Sequence, residues 1–276
     1  MAIKIICVID NAVKEQSGLL GEHGLSFWIE TDHGNLLFDT GQSEAVLAHN
    51  MKMLGLHPED VDALALSHAH YDHTGGLNSI LSKNPGVALY AHTDIFQARY
   101  SLRHGKYTSI GLEEKHIEPM QKANLQLSDQ PLEILPGLWM TGEITERPEP
   151  QGSSAHHFIR TPEGWQHDPY RDDISLVLKR KQGLVVICGC CHAGILNTLQ
   201  HVKRVFHEPV LTIVGGTHLV GADEAYLEHV VSVFQADYAQ TDFYLNHCTG
   251  DSAFQLLLSR LGSRVKSFPA GSVLEV

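Results

Sequence analysis

Positive charge is scarce in this sequence. Only 20 lysines and arginines stand against 32 aspartates and glutamates, a formal net charge of −12 over 276 residues. So acidic a chain lacks the basic footprint that non-specific nucleic-acid binding needs, and no nucleic-acid partner is expected. Long apolar runs are missing too. No stretch approaches the roughly 20 residues of a membrane-spanning helix, which excludes such a helix, and no membrane partner is expected. The five cysteines are ill-placed for cross-linking, because Cys188, Cys190 and Cys191 crowd together while Cys7 and Cys248 stand apart. An odd, crowded set is a poor disulfide framework and fits a reducing compartment. The opening apolar run stops at Asp10 with no small-residue cleavage site, so no export signal is expected and the cytoplasm is the expected location.

Histidine, by contrast, is in surplus, with 19 residues. Apolar residues at 43% and charged residues at 19% are ordinary globular values. The length supports a substantial core without staples, and one domain over 1–276 is expected. Short β runs alternate with helical stretches. Residues 3–9, 25–30 and 35–39 read as strands, the last two joined by the turn 31–34. Residues 43–54 read as a helix capped by Ser43. Strands follow at 61–66 and 87–91, with a helix opening at Gly75-Gly76 between them, and a β pair flanks Pro136-Gly137. The second half repeats the pattern: strands at 174–180, 183–188, 210–214 and 242–246, helices at 194–206, 222–235 and 251–261, and β character over 265–276. The stretch 99–172 is rich in proline and polar residues, and its part 145–173 has little periodicity. It is read as an inserted cap or lid over the site.

Ligand-type residues gather just after strands, where sites in α/β architectures form. The densest group is His68-x-His70-x-Asp72-His73. Nitrogen and oxygen donors of this kind suit zinc, manganese or iron. In a tight loop they cannot all face one ion. Alternation lets His68 and His70 converge on one metal while Asp72 and His73 turn toward a second. Two protein ligands per ion are too few, since an open catalytic site wants about three plus water. The remaining ligands are sought at other strand ends, in His192 and His247, with a thiolate from Cys190 or Cys191 as a further candidate. Asp39, in Asp-Thr-Gly, either orients a ligand or shapes a turn. His218 is a candidate hydrogen-bond donor or general acid, and Asp72 and His218 are taken as the catalytic side chains. Two divalent ions about 3.5–4 Å apart could share a water and lower its pKa, and the hydroxide would then be expected to attack a carbonyl or phosphoryl centre.

His68-x-His70-x-Asp72-His73 resembles the signature of the metallo-β-lactamase superfamily. The likeness extends to Leu37-Phe38-Asp39-Thr40-Gly41, Gly189-Cys190-Cys191-His192-Ala193-Gly194, Gly215-Gly216-Thr217-His218 and His247-Cys248-Thr249-Gly250. These recur in a branch similar to the archaeal dihydropterin–ribofuranosylaminobenzene phosphate synthases and their bacterial relatives. The resemblance implies an α/β fold, the αββα sandwich of that superfamily, with metals at one edge. It implies His68, His70 and His192 around a first ion and Asp72, His73 and His247 around a second. Many members bridge the ions with an aspartate where this chain has Cys190, which leaves the bridging ligand open. Thr141-Gly142-Glu143-Ile144 with Arg147 also resembles a stretch of this branch, making Glu143 and Arg147 candidate substrate contacts.

Two functions follow. One is a metal-dependent hydrolase acting on a small anionic metabolite, with Arg99, Arg103, Arg147 or Arg160 gripping the anion. The other is a pterin-type condensing synthase in which the same ions activate a diphosphate leaving group, with Trp139, Phe158, Trp165 or Tyr170 forming a ring slot. Di-iron redox members of the superfamily favour glutamate where this chain has His70, which speaks against a redox module. The expected partner is a small-molecule substrate, with self-association left open.

Overall fold

The computed structural model describes residues 3–276. They divide into two compact units. One comprises the chain up to residue 129 with 153–172 and 269–276, and the other comprises 130–152 with 173–268.

The first unit is built on a seven-stranded sheet in the order Val273–Glu275, Lys4–Ile9, Ser26–Thr31, Gly34–Phe38, Ala63–Ala65, Ala88–Ala91, Asn124–Leu127. The last four run parallel. Parallel neighbours need a crossover, and the helices Glu44–Leu54, Leu77–Leu81 and Glu114–Lys122 lie in the intervening segments. Helix Glu44–Leu54 shows how sequence sets such an element. Ser43 caps it, its hydroxyl accepting from Val46 N–H at 3.3 Å, and the Glu22 carboxylate in turn holds the Ser43 N–H and hydroxyl. Leu47 and Met51, one turn apart, face a core that includes Val8, Trp28 and Leu37. Gly55 stops the helix in the left-handed conformation, φ 71°, returning its N–H to the last turn.

The second unit carries a sheet in the order Val265–Ser267, Asp242–Leu245, Val210–Gly215, Gly183–Cys188, Ser175–Arg180, Leu138–Met140, Leu132–Leu135. Its first four strands are parallel. Helices Ile195–Phe206, Glu224–Asp237 and Asp251–Leu261 make the crossovers and bury Leu199, Val230, Phe234 and Leu257 with Phe243 of the sheet.

The stretch 99–172, expected as an inserted cap, is distributed. Strands Arg99–Arg103, Lys106–Ser109, His157–Thr161 and Gly164–His167 form a small sheet in the first unit, where Tyr107 stacks on Trp165 with centroids 3.6 Å apart. Residues 124–127 extend the first sheet, and 132–140 join the second. No helix among the described residues is long and apolar enough to cross a membrane.

Asn50, fully buried, ties helix Glu44–Leu54 to its sheet. Its amide donates to the Val8 and Leu20 carbonyls at 2.8 Å each, and its oxygen accepts from Leu20 N–H at 2.9 Å. Asn50→Ala strands three backbone groups and is expected to destabilise the fold by about 2–4 kcal/mol. A lower urea midpoint at unchanged slope reads this out, and an unmoved midpoint contradicts it.

Candidate metal centre

In the first unit, strands Gly34–Phe38 and Ala63–Ala65 are parallel, so both chains leave the sheet at the same edge. Asp39 follows the first and Ser67-His68 the second. Asp39 takes φ 61°, a conformation rare outside glycine. Its buried carboxylate accepts Ser67 N–H at 2.7 Å, Ser67 Oγ–H at 2.7 Å and His73 Nδ1–H at 2.7 Å. With its hydrogen committed to Asp39, Ser67 Oγ accepts from His68 Nδ1–H at 2.9 Å. Both rings therefore present the lone pair of Nε2, the arrangement that a second layer of hydrogen bonds gives to metal-binding histidines.

The loop sorts its donors into pairs. His68 Nε2 lies 3.0 Å from His70 Nδ1, and His73 Nε2 lies 3.5 Å from Asp72 Oδ2. Nitrogens each about 2.0–2.1 Å from one tetrahedral zinc would be about 3.3–3.4 Å apart, so the first pair is close to what a single ion asks for. Burial, the largest influence, drives the His70 pKa well below its ordinary value and keeps the ring neutral. Gly75 and Gly76, where the sequence pattern opens a helix, have ordinary negative φ, −66° and −87°. They serve close approach: a Cβ on Gly75 would sit 2.0 Å from the Gln42 carbonyl oxygen, and one on Gly76 2.3 Å from that of Thr40.

Residues 153–172 wall this loop. The rings of His157 and Tyr170 stand edge-on to His70, centroids 5.4 and 6.0 Å away, and Tyr170 Oη lies 2.9 Å from His157 Nδ1. Burial first, then the nearby Arg103 charge, lowers the His157 pKa to about 4. Arg99 is not an anion grip. It is buried, with Nη2 2.7 Å from Asp172 Oδ1 and Nε 3.2 Å from Asp168 Oδ2. The other oxygen of Asp172 accepts Ala69 N–H, between His68 and His70, at 2.8 Å.

The second unit has its own set of strand ends. Strands Gly183–Cys188, Val210–Gly215 and Asp242–Leu245 are parallel, and Cys190 to His192, His218 and His247 follow them. His192 Nδ1–H donates to the Gly152 carbonyl at 2.9 Å, again leaving Nε2 with its lone pair, and its ring lies 4.3 Å from that of His218. Donor atoms of Cys190, His247 and Cys248 fall within 4.8 Å of one another. Cys191 leaves the candidate ligands. It sits in the apolar core, and a hydrogen bond with Cys188, then burial, raises its pKa well above the usual value, so it stays a thiol. Asp173 accepts Ala193 N–H, beside His192, at 2.8 Å. Cys191, His218 and His247 all have positive φ, 60°, 46° and 51°, and such strain in non-glycine residues clusters at functional sites.

The structure thus gathers His68, His70, Asp72, His73 and Asp39 in one unit, and His192 with His218, and Cys190 with His247, in the other. Arg147 holds its own loop, Nε donating to Ile144 O at 2.6 Å and Nη1 to Gln151 Oε1 at 3.0 Å, while Glu143 is half-buried. Sequence reasoning missed Asp172, Asp173, His157 and also His23, whose Nε2 lies 3.3 Å from Asp72 Oδ2. The doublet Asp172-Asp173 immediately before a strongly apolar strand was the available signal. Buried imidazoles and a carboxylate form a donor set suited to divalent zinc, manganese or iron.

The sequence profile of the metallo-beta-lactamase superfamily matches residues 20–189. Over its length the chain is similar to 7,8-dihydropterin-6-methyl-4-(beta-D-ribofuranosyl)-aminobenzene-5'-phosphate synthase of Methanocaldococcus jannaschii, at 27% identity covering 99% of this chain and 96% of that one. A protein of uncharacterised function from the same organism is 30% identical over 98% of this chain and 97% of its own. The crystal structure of a metal-dependent hydrolase of the beta-lactamase superfamily superposes with a TM-score of 0.84 at 26% identity, covering 99% of both chains.

Arg99→Met leaves Asp168 and Asp172 buried without their cation. Losing one partner of a buried ion pair costs about 3–5 kcal/mol, so a matching fall in unfolding free energy is expected. Full stability in this variant would show that the arginine does not hold the segment.

Proposed function

This chain belongs to the metallo-β-lactamase superfamily, and from that premise we propose that it is a metal-dependent hydrolase of a small anionic metabolite, with two divalent ions as cofactors, zinc first among the candidates. His68, His70 and His192 would hold one ion, and Asp72, His73 and His247 the other. That the donors of the two units meet around the ions is part of the proposal. When bound, such a pair supplies Lewis acidity and activates water at neutral pH.

The single observation that carries the reading is the locked orientation of the loop histidines. Asp39 and Ser67 commit Nδ1 of His73 and His68, which would direct Nε2 of each toward a cation. The chain's other groups have proposed parts in the chemistry. Asp172 keeps the loop backbone in register through Ala69 N–H. The His157–Tyr170 wall limits water beside His70. His218, beside His192, is proposed to donate a hydrogen bond or a proton to the leaving group. Cys190, close to His247, is proposed to stand where relatives place a bridging carboxylate. Glu143 and Arg147 are proposed substrate contacts.

A second reading rests on the full-length likeness to a synthase. The same residues would then hold ions that activate a diphosphate leaving group. Quenching of reduced-pterin fluorescence on binding supports that reading, and absence of binding removes it.

Two measurements test the proposal. Metal-stripped protein reloaded with zinc, manganese or ferrous iron is expected to turn over at least one class among aryl phosphodiesters, lactones and thioesters, and stripping is expected to abolish the turnover. Silence across the panel with metal bound contradicts hydrolysis. Asp39→Asn is expected to weaken metal binding by about 10–100-fold. Wild-type affinity in a folded variant would show that Asp39 does not orient the site.

A further inference from the structure

A cavity of about 480 Å3 opens in the first unit between the hairpin 99–109 and the loop that carries the histidines. Tyr71, which separates His70 from Asp72 in the chain, is part of its lining, and Tyr71 N–H donates to Ile110 O at 3.0 Å, joining the two walls. Arg103, Ser101, Thr108, Ser109 and Glu113 supply the polar lining.

Three features point to the ligand's chemistry. First, the arginines differ in what holds them. Arg99 is paired with Asp168 and Asp172, Arg147 binds its own loop, and Arg160 lies over the Trp165 ring at 5.4 Å. Exposed Arg103 has no carboxylate partner among the described residues, in a protein of net charge −12. Second, Arg103 sits directly across the hairpin from Lys106, which likewise has no carboxylate partner among the described residues. Like charges opposite one another on adjacent strands are destabilising, and an anion between or beside them removes the cost. Third, Ser101 is buried and its Oγ finds no hydrogen-bond partner among the described residues, so the wall holds a hydroxyl that still needs one. Glu113, the acidic group of the lining, lies 3.4 Å from Lys115 Nζ. The Arg103 charge is also felt by Tyr71 and His157, which places the cation beside the loop and its wall.

We propose that this cavity seats an oxyanion, the phosphate or carboxylate of a small substrate, with Arg103 as the principal grip and the hydroxyls of Ser101, Thr108 and Ser109 as further donors. Tyr71 lies where the rest of such a molecule passes toward His70 and Asp72. That the anion belongs to a substrate rests on the function proposed above. The binding itself requires no metal.

The test therefore uses full-length protein stripped of metal. Phenyl phosphate and benzoate are titrated separately while ligand NMR lines are followed, and the preferred arm tells phosphate from carboxylate. Wild-type protein is expected to bind at least one of them. Arg103→Ala is expected to weaken that binding at least tenfold, Arg103→Lys less, because lysine keeps the charge but loses the fork. Arg160→Ala is expected to leave it unchanged. Binding of neither anion to the wild type, or equal binding to Arg103→Ala, overturns the proposal. Arg103-dependent binding in a protein that shows no metal-dependent turnover leaves the oxyanion seat standing and removes only the hydrolase reading.

Discussion

One buried carboxylate gives the histidine loop its shape. Asp39 has no exposed surface, and removing such a group from water costs several kcal/mol unless hydrogen bonds replace hydration. Here a backbone N–H, a hydroxyl and an imidazole replace it, all within 2.7 Å. Each donor belongs to the loop that follows strand Ala63–Ala65, so the contacts that solvate Asp39 also fix the backbone at Ser67 and the ring of His73. The orientation of His68 follows one step later, through Ser67. Fold and site share this interaction.

Topology explains why such a carboxylate is available. In a parallel set every strand delivers its C-terminus to the same edge, and Asp39 and Ser67 arrive there from adjacent strands. The second unit uses the same device for Cys190, His218 and His247. The adjacent residues Asp172 and Asp173 then perform matching tasks, each accepting the N–H beside a candidate histidine ligand, Ala69 in one unit and Ala193 in the other. The left-handed backbone at Asp39, Cys191, His218 and His247 lies in these same loops, where surrounding hydrogen bonds and packing hold it.

Much of this was legible in the residues. Apolar runs bounded by glycine, proline and capping groups marked most strands and helices of both large sheets, but not Glu114–Lys122 and Asn124–Leu127, which lie in the stretch read as a cap. Spacing alone divided the loop donors into His68 with His70 and Asp72 with His73. The small sheet was not legible, because its strands are short and largely polar, and Arg99–Arg103 pairs with His157–Thr161, more than 50 residues further along the chain. Arg99 read as an anion grip because nothing local reveals two aspartates some 70 residues away that bury it. Cys191 read as a thiolate candidate because its neighbour Cys188, which raises its pKa, looked like one more member of the same cluster. The steric need for Gly75 and Gly76 was likewise hidden, because it is set by carbonyls more than 30 residues earlier in the chain.

The most direct measurement is a diffraction map collected across the absorption edge of the metal found in the purified protein. The account predicts two strong peaks, one touching His68 Nε2, His70 Nδ1 and His192 Nε2, the other touching Asp72, His73 Nε2 and His247. Metal-replete crystals without a peak at His70, or with His192 and His247 remote from any ion, would contradict it.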